Sequence, residues 1–198
     1  MHIMSKAEKT RALIIEKTAP LFNRKGYAGT SLTDMTQATG LTKGSIYGNF
    51  SGKDEVALAV FDFHMRSVQK RMRQLMENKA SAREKLLAYV DFYSALLTDR
   101  AFPEGGCPLL NTSIEADDTH PALRRKAAVA LKAWQRLLAD IVSEGRLSGE
   151  FESTLPDGHI ALSLIAMLEG GVMIARLTQR EEDRNIVMQS VERFIRDL

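Results

Sequence analysis

Lys43, Ser45, Tyr47 and Asn49 alternate with Gly44, Ile46 and Gly48 in the stretch TKGSIYGNF, residues 42–50. An ammonium, two hydroxyls and a carboxamide on one short segment can donate hydrogen bonds to phosphate oxygens and base edges. Gly40, Gly44, Gly48 and Gly52 recur every four residues, although glycine costs about 1 kcal/mol relative to alanine inside a helix. Gly44 and Gly48 therefore read as positions where a large partner must come close to the backbone. A packed corner with no partner would favour alanine there, and it leaves the polar face unexplained.

No other grouping supports chemistry as well. His2, His64, His120 and His159 lack metal-ligand spacing, and the lone Cys107 leaves no cysteine pair. There is no strand to carry a phosphate-binding glycine loop. Glu115, Asp117, Asp118 and His120 stand together in EADDTHP, where a helix-capping loop explains them better than catalysis. The expectation is a chain that is not an enzyme and needs no metal or cofactor.

The elements around the polar face read as helices, because apolar residues recur at helical spacing and period-2 alternation is nearly absent. Ala12, Ile15, Ala19 and Phe22 share one face of a helix over 6–24 that contains Pro20 and ends at Gly26. Ser31 and Asp34 form a capping box for a helix over 32–39, closed by Gly40 in the left-handed conformation. Thr42 caps a third helix over 43–49, with Ile46 and Phe50 turned inward. Lys53 opens a long helix to about residue 78, its first turn carrying Asp54 and Glu55. Two short helices joined by a tight glycine turn make a helix-turn-helix, whose second helix enters the DNA major groove.

Charge agrees with this placement. The 198 residues carry a formal net charge of +2, but residues 1–80 hold 13 Lys/Arg against 7 Asp/Glu, and residues 81–198 hold 14 against 18. A basic first part and an acidic remainder fit a polyanion at one end. One cysteine rules out an intrachain disulfide and fits a reducing compartment. No apolar run approaches the roughly 20 residues of a membrane span, so the expectation is a cytoplasmic protein without a membrane partner.

Further helices are expected over 82–100 (Leu86, Leu87, Val90, Tyr93, Leu97), 109–115, 121–144, 157–177 and 181–197. The run ALSLIAMLEGGVMIARL is apolar on nearly all sides, as a buried helix is. In a chain of this size that implies one face packed in the subunit and another on a partner copy, with Leu164, Leu168, Gly170 and Gly171 at the seam. Phe92, Tyr93, Trp134, Met167 and Met173 either line a ligand cavity or simply fill the core.

The segment from Gly26 to Phe61 resembles the DNA-binding domain of TetR-family transcriptional regulators. Gly26-Tyr27, Thr30-Ser31, the TKGSIYGNF core and Lys53 carry the likeness. Gly48 and Asn49 depart from it, since family members often have an aromatic residue or histidine there. The resemblance implies an all-α homodimer. Residues 1–52 would form a three-helix helix-turn-helix domain, and residues 53–198 a helical bundle for ligand binding and dimerisation. It implies that Ser31 and Thr33 contact phosphate, that Thr42 reaches phosphate or a base, and that Lys43 and Ser45 face the groove beside Gly44. Tyr47 and Lys53 would hold phosphates, and Asn49 phosphate or a base. It also implies a palindrome-like operator of double-stranded DNA, a small-molecule effector that shifts operator affinity, and a four-helix dimer interface built from the last two helices. EGGCPLL resembles a subset of such regulators that sense electrophiles or oxidants through a Gly-Cys pair, against a plain apolar filler at Cys107. A helical scaffold that binds protein or lipid is the competing class.

Overall fold

The computed structural model describes residues 5–98 and 104–198. Its described residues form helices and no strand: α1 (Lys6–Gly29), α2 (Leu32–Thr39), α3 (Lys43–Tyr47), α4 (Lys53–Met76), α5 (Ala82–Thr98), α6 (Pro108–Ala116), α7 (Pro121–Leu147), α8 (Asp157–Thr178) and α9 (Glu181–Arg196). The all-α expectation holds. The side chain of Leu97 and residue Arg100, both placed on the fifth helix by the sequence, lie outside the described residues.

Two compact units emerge from the packing. The first comprises Met1–Ser67 and Pro103–Ala128, the second Val68–Phe102 and Val129–Leu198. The cuts fall within α4 and α7, not at residue 52, and the segment that contains α6 groups with the N-terminal helices. This division follows packing alone.

In the first unit, Ile14, Ala19, Met35, Ile46, Phe50, Val56 and Val60 form the buried core, with Ile15, Phe22, Leu32 and Leu41 packed on it. Ile14 occupies the centre that the sequence assigns to Ala12 and Ile15, with no exposure at all. Gly26, where the sequence ends the first helix, breaks it at φ 72°, but helical bonding then resumes to Gly29. A side chain at Gly26 would stand 2.4 Å from the Glu115 carboxylate. That carboxylate accepts the N–H groups of Tyr27 at 2.6 Å and Ala28 at 2.8 Å, so α6 holds the break in α1. The Asn23 side chain adds a second tie, donating to the Glu104 and Gly106 carbonyls at 2.8 and 3.0 Å.

In the second unit, α8 packs on α9 and both pack on α5. Leu164 and Leu168 are 2% and 1% exposed, inside the chain's own core. A methyl group on Gly171 would lie 2.8 Å from Val187 Cγ1 on α9. These three residues are therefore unavailable to a second copy, which corrects their assignment to a seam. Gly170, about 100° round the helix from Gly171, has nothing within 4 Å of where its Cβ would be. A helix apolar all round carries no phase from which to tell its two faces apart. The exposed large apolar residues of α8 are Leu162, Met173, Ile174 and Leu177, joined on α9 by Ile186.

By length and composition alone, α8 with its 22 residues is also long and apolar enough to cross a bilayer. That corrects the expectation that no run approaches such a length. One side of it is core: Ile160, Ala161, Leu164, Ile165, Leu168 and Val172 are all buried within the unit.

Candidate nucleic-acid interface

Three caps build the corner that carries the polar face. The Ser31 hydroxyl accepts the Asp34 N–H at 3.1 Å, while the Asp34 carboxylate accepts the Ser31 N–H at 2.8 Å. Lys25 binds the same carboxylate at 2.6 Å. With the Lys25 bond as the largest cause and the two Ser31 bonds behind it, the Asp34 carboxyl stays far below its ordinary range. Gly40 closes α2 at φ 69° with its N–H on the Thr36 carbonyl. The Thr42 hydroxyl then accepts the Ser45 N–H at 3.2 Å and opens α3.

Helix α3 stops at Tyr47, two residues earlier than the sequence implies, because Asn49 turns its carboxamide back to the Ser45 carbonyl at 2.9 Å. Side chains that bond to nearby main chain compete with helix continuation in this way. Ile46 is fully buried and Phe50 nearly so, which fixes the opposite face outward. Ser31, Thr33, Thr42, Lys43, Gly44 and Tyr47 are exposed, while Ser45, Asn49 and Lys53 are half-buried.

The glycines of this corner differ. The nearest atom to a Cβ on Gly44 would be Thr42 Oγ1 at 4.0 Å, so the fold itself has room for a methyl there. On Gly48 the same atom would lie 3.1 Å from the Gly44 carbonyl, a tight contact that asks that carbonyl to give by a few tenths of an ångström. Of the two, Gly44 is the one with open space over its backbone.

Lys53 is not simply solvated. Its ammonium sits 4.3 Å from the ring centroid of Tyr27, a cation–π contact that leaves the N–H donors free to turn outward. The Tyr27 hydroxyl donates to Asp54, whose other oxygen lies 3.9 Å from His120 Nε2. That hydrogen bond, with burial added, pushes the Tyr27 phenol up to about 12. Neither Tyr27 nor Asp54 is identified as a support for Lys53 by the sequence alone; the aromatic of Gly26-Tyr27 is the one available signal.

In the second unit, Phe92, Tyr93 and Trp134 do come together. The Tyr93 and Trp134 rings stack with centroids 5.6 Å apart and planes at 4°, and Tyr89 extends the stack at 6.2 Å. The Tyr93 hydroxyl donates to the buried Glu169 carboxylate at 2.9 Å. Glu169 is the lone acid in the apolar run, and that isolation is the signal by which the sequence could have pointed to it. Burial pushes the Tyr89 phenol above its ordinary value. Met167 is half-buried on α8, whereas Met173 is 48% exposed and lines no interior. An open groove of about 260 Å³, lined by Lys79, Glu84, Asp91, Glu192 and Arg196 among others, shares no residue with the aromatic cluster. Cys107 belongs to the first unit. It is the N-cap residue of α6 and is buried at 6% exposure, which suits an apolar filler better than a thiol open to reagents. Among the described residues no group of three His, Cys, Asp or Glu could hold a metal ion.

A capped, polar, outward-facing short helix held against a three-helix core defines a helix-turn-helix protein. Residues 14–60 match the family described as bacterial regulatory proteins, tetR family, and residues 82–191 match the tetracyclin repressor-like C-terminal domain. The chain belongs to the TetR family of DNA-binding transcriptional regulators. A crystal structure of a TetR-family transcriptional regulator from Cytophaga hutchinsonii is 46% identical, with a TM-score of 0.91 over 98% of this chain and 96% of that one. An uncharacterized HTH-type transcriptional regulator from Lactococcus lactis is 30% identical over 86% of this chain and 85% of its own. The HTH-type transcriptional repressor DhaR of a Mycobacterium species is 22% identical over 87% and 85%.

Proposed function

We propose that the chain is a homodimeric repressor in the cytoplasm that binds a palindrome-like operator and is released by a small-molecule effector. Residues 1–52 read the DNA, and residues 53–198 take up the effector and join the two copies. The outward polar face of α3, with open space over Gly44, carries the reading. Lys43 and Ser45 meet base edges in the major groove. Ser31, Thr33, Tyr47 and Lys53 hold phosphates, and Thr42 and Asn49 serve either role. Phosphate contacts set register and affinity while base contacts set sequence choice. The name of the DhaR relative supports repression.

The second copy docks on the apolar residues that α8 and α9 leave exposed, Leu162, Met173, Leu177 and Ile186, with Gly170 allowing close helix approach. A two-fold pair of recognition helices then spans two half-sites. The effector works through Phe92, Tyr93, Trp134 and Met167, favouring a state in which the two helices no longer fit their half-sites. It can shift that equilibrium only by its differential affinity for the two states.

Selection of bound sequences from random duplex DNA tests the reading. A palindrome-like consensus is the expected result; failure to enrich any sequence would favour the scaffold class. A Cys107→Ser protein that still leaves its selected duplex when treated with oxidant would remove the thiol as the sensor.

A further inference from the structure

Arg11 on α1 lies outside the expected DNA-contact set, yet its guanidinium reaches the far end of the recognition corner. Nη1 donates to the main-chain carbonyl of Asn49, and Nη2 donates to Glu55 Oε1 at 2.8 Å. The guanidinium carbon stands 3.9 Å from the Phe50 ring centroid. Glu55 uses its second oxygen to accept the Ser51 N–H at 2.7 Å. Bonds from α1 and α4 thus converge on residues 49–51, the segment that immediately follows Gly48. Asn49 passes the tie back into α3 through its bond to the Ser45 carbonyl.

Such a tie matters because α3 has five residues. Helices shorter than about 12 residues are marginal in water, so one this short takes its direction from tertiary contacts. Ile46 and Phe50 anchor it on the core side, but two apolar contacts leave rotation about the line between them. A cation at the carbonyl end of the helix also complements its dipole. The planar guanidinium can engage a carbonyl, a carboxylate and a ring together, which an ammonium cannot.

We propose that Arg11 is a positioning residue for DNA recognition: by bridging the Asn49 carbonyl to Glu55 it fixes the orientation in which α3 presents Lys43, Ser45 and Tyr47. The inference rests on the DNA-binding reading of α3. Arg11 is not itself a phosphate contact, because its charge is matched by Glu55 and its Nη1 and Nη2 already donate to Asn49 and Glu55. The Ser51 N–H bond first, and Arg11 next, hold the Glu55 carboxyl down to about 2, so the carboxylate stays ionised throughout the neutral range. Both side chains are 38% exposed, and pairs that open to water add little stability. The effect of losing the bridge therefore falls on recognition more than on folding.

The test uses the duplex that the wild-type chain selects from a random pool, and a scrambled duplex of equal length. Affinity for both is measured across a salt series for Arg11→Met, Arg11→Lys and Glu55→Gln, with a thermal melt of each. Arg11→Met should lose about tenfold or more on the selected duplex, the order of one mismatched base pair. Its affinity for the scrambled duplex and its salt slope should not change. Glu55→Gln should lose less in the same direction, and Arg11→Lys should fall between wild type and Arg11→Met. Equal losses on both duplexes, with the salt slope lowered by about one ion per subunit, would make Arg11 a phosphate contact and overturn the proposal. Wild-type affinity in Arg11→Met would overturn it as well. If Arg11→Met does not fold, Arg11→Lys and Glu55→Gln decide by the same criteria. A wild-type chain that enriches no duplex removes the DNA reading and this inference together; an enriched duplex to which Arg11→Met binds as wild type removes this inference alone.

Discussion

Helices α3 and α8 use glycine for opposite ends. Gly44 faces outward with nothing closer than 4.0 Å to its missing side chain, whereas Gly171 faces inward with α9 only 2.8 Å from its own. In α3 the small residue leaves the backbone open to whatever arrives from outside. In α8 it lets two helices of the same chain close on each other. A helical glycine is thus no marker of an interface until the face on which it sits is known.

The sharpest test of that contrast is on the packed side. Leu168→Ala should destabilise the fold by about 2–5 kcal/mol, since it empties a fully buried site. A thermal or urea melt reads the loss. Near-native stability, with dissociation of a dimer instead, would put Leu168 back at a seam. The complementary change is Leu162→Arg on the exposed face. It should leave the helical circular dichroism of the chain intact while sedimentation shows monomer, because a charge buried unpaired in the dimer costs several kcal/mol. A variant that stays dimeric would move the interface off this face.

On the open side the expected effects are smaller. Lys53→Ala should weaken binding to every duplex and lower the salt slope by about one ion in each subunit. Gly44→Ala should raise stability by up to about 1 kcal/mol, because the fold has room and alanine is the better helix residue, yet it should weaken binding to the selected duplex. Unchanged binding would show that nothing needs to approach Gly44.

The smallest effect concerns His64, buried in the first unit with Nε2 on the Ala19 carbonyl at 3.1 Å. Burial pushes its imidazole below the ordinary 6.5, partly offset by that bond. The unfolded chain then holds the proton more tightly than the fold, so the stability of the neutral ring is present above 6.5 and is lost as pH falls below it. The melting midpoint should drop between about pH 7 and pH 5, and His64→Gln should flatten the drop.

Helix existence and the corner of α2 and α3 were legible because caps, turn glycines and inward apolar residues agree there. Ser31, Gly40, Thr42, Ile46 and Phe50 all do in the structure what their residue types favour. The faces of α8 were not legible, because a run apolar on nearly all sides, whose one acid Glu169 is itself buried, gives a misleading angular reference. The ties made by Arg11, Glu115 and Glu169 were hidden for another reason. They join residues 38, 88 and 76 positions apart, and a single sequence gives no sign of which distant partner a charged side chain will find.

Trp134 is the only tryptophan of the chain, and it is stacked on Tyr93 and Tyr89. Excited selectively, its emission therefore comes from one place, the packing of α5 against α7 in the Val68–Phe102 and Val129–Leu198 unit. The helix-turn-helix has no tryptophan to contaminate the signal. The protein thus carries a built-in optical probe: titrating candidate effectors while watching this one indole would report engagement of the aromatic cluster without dye, label or DNA.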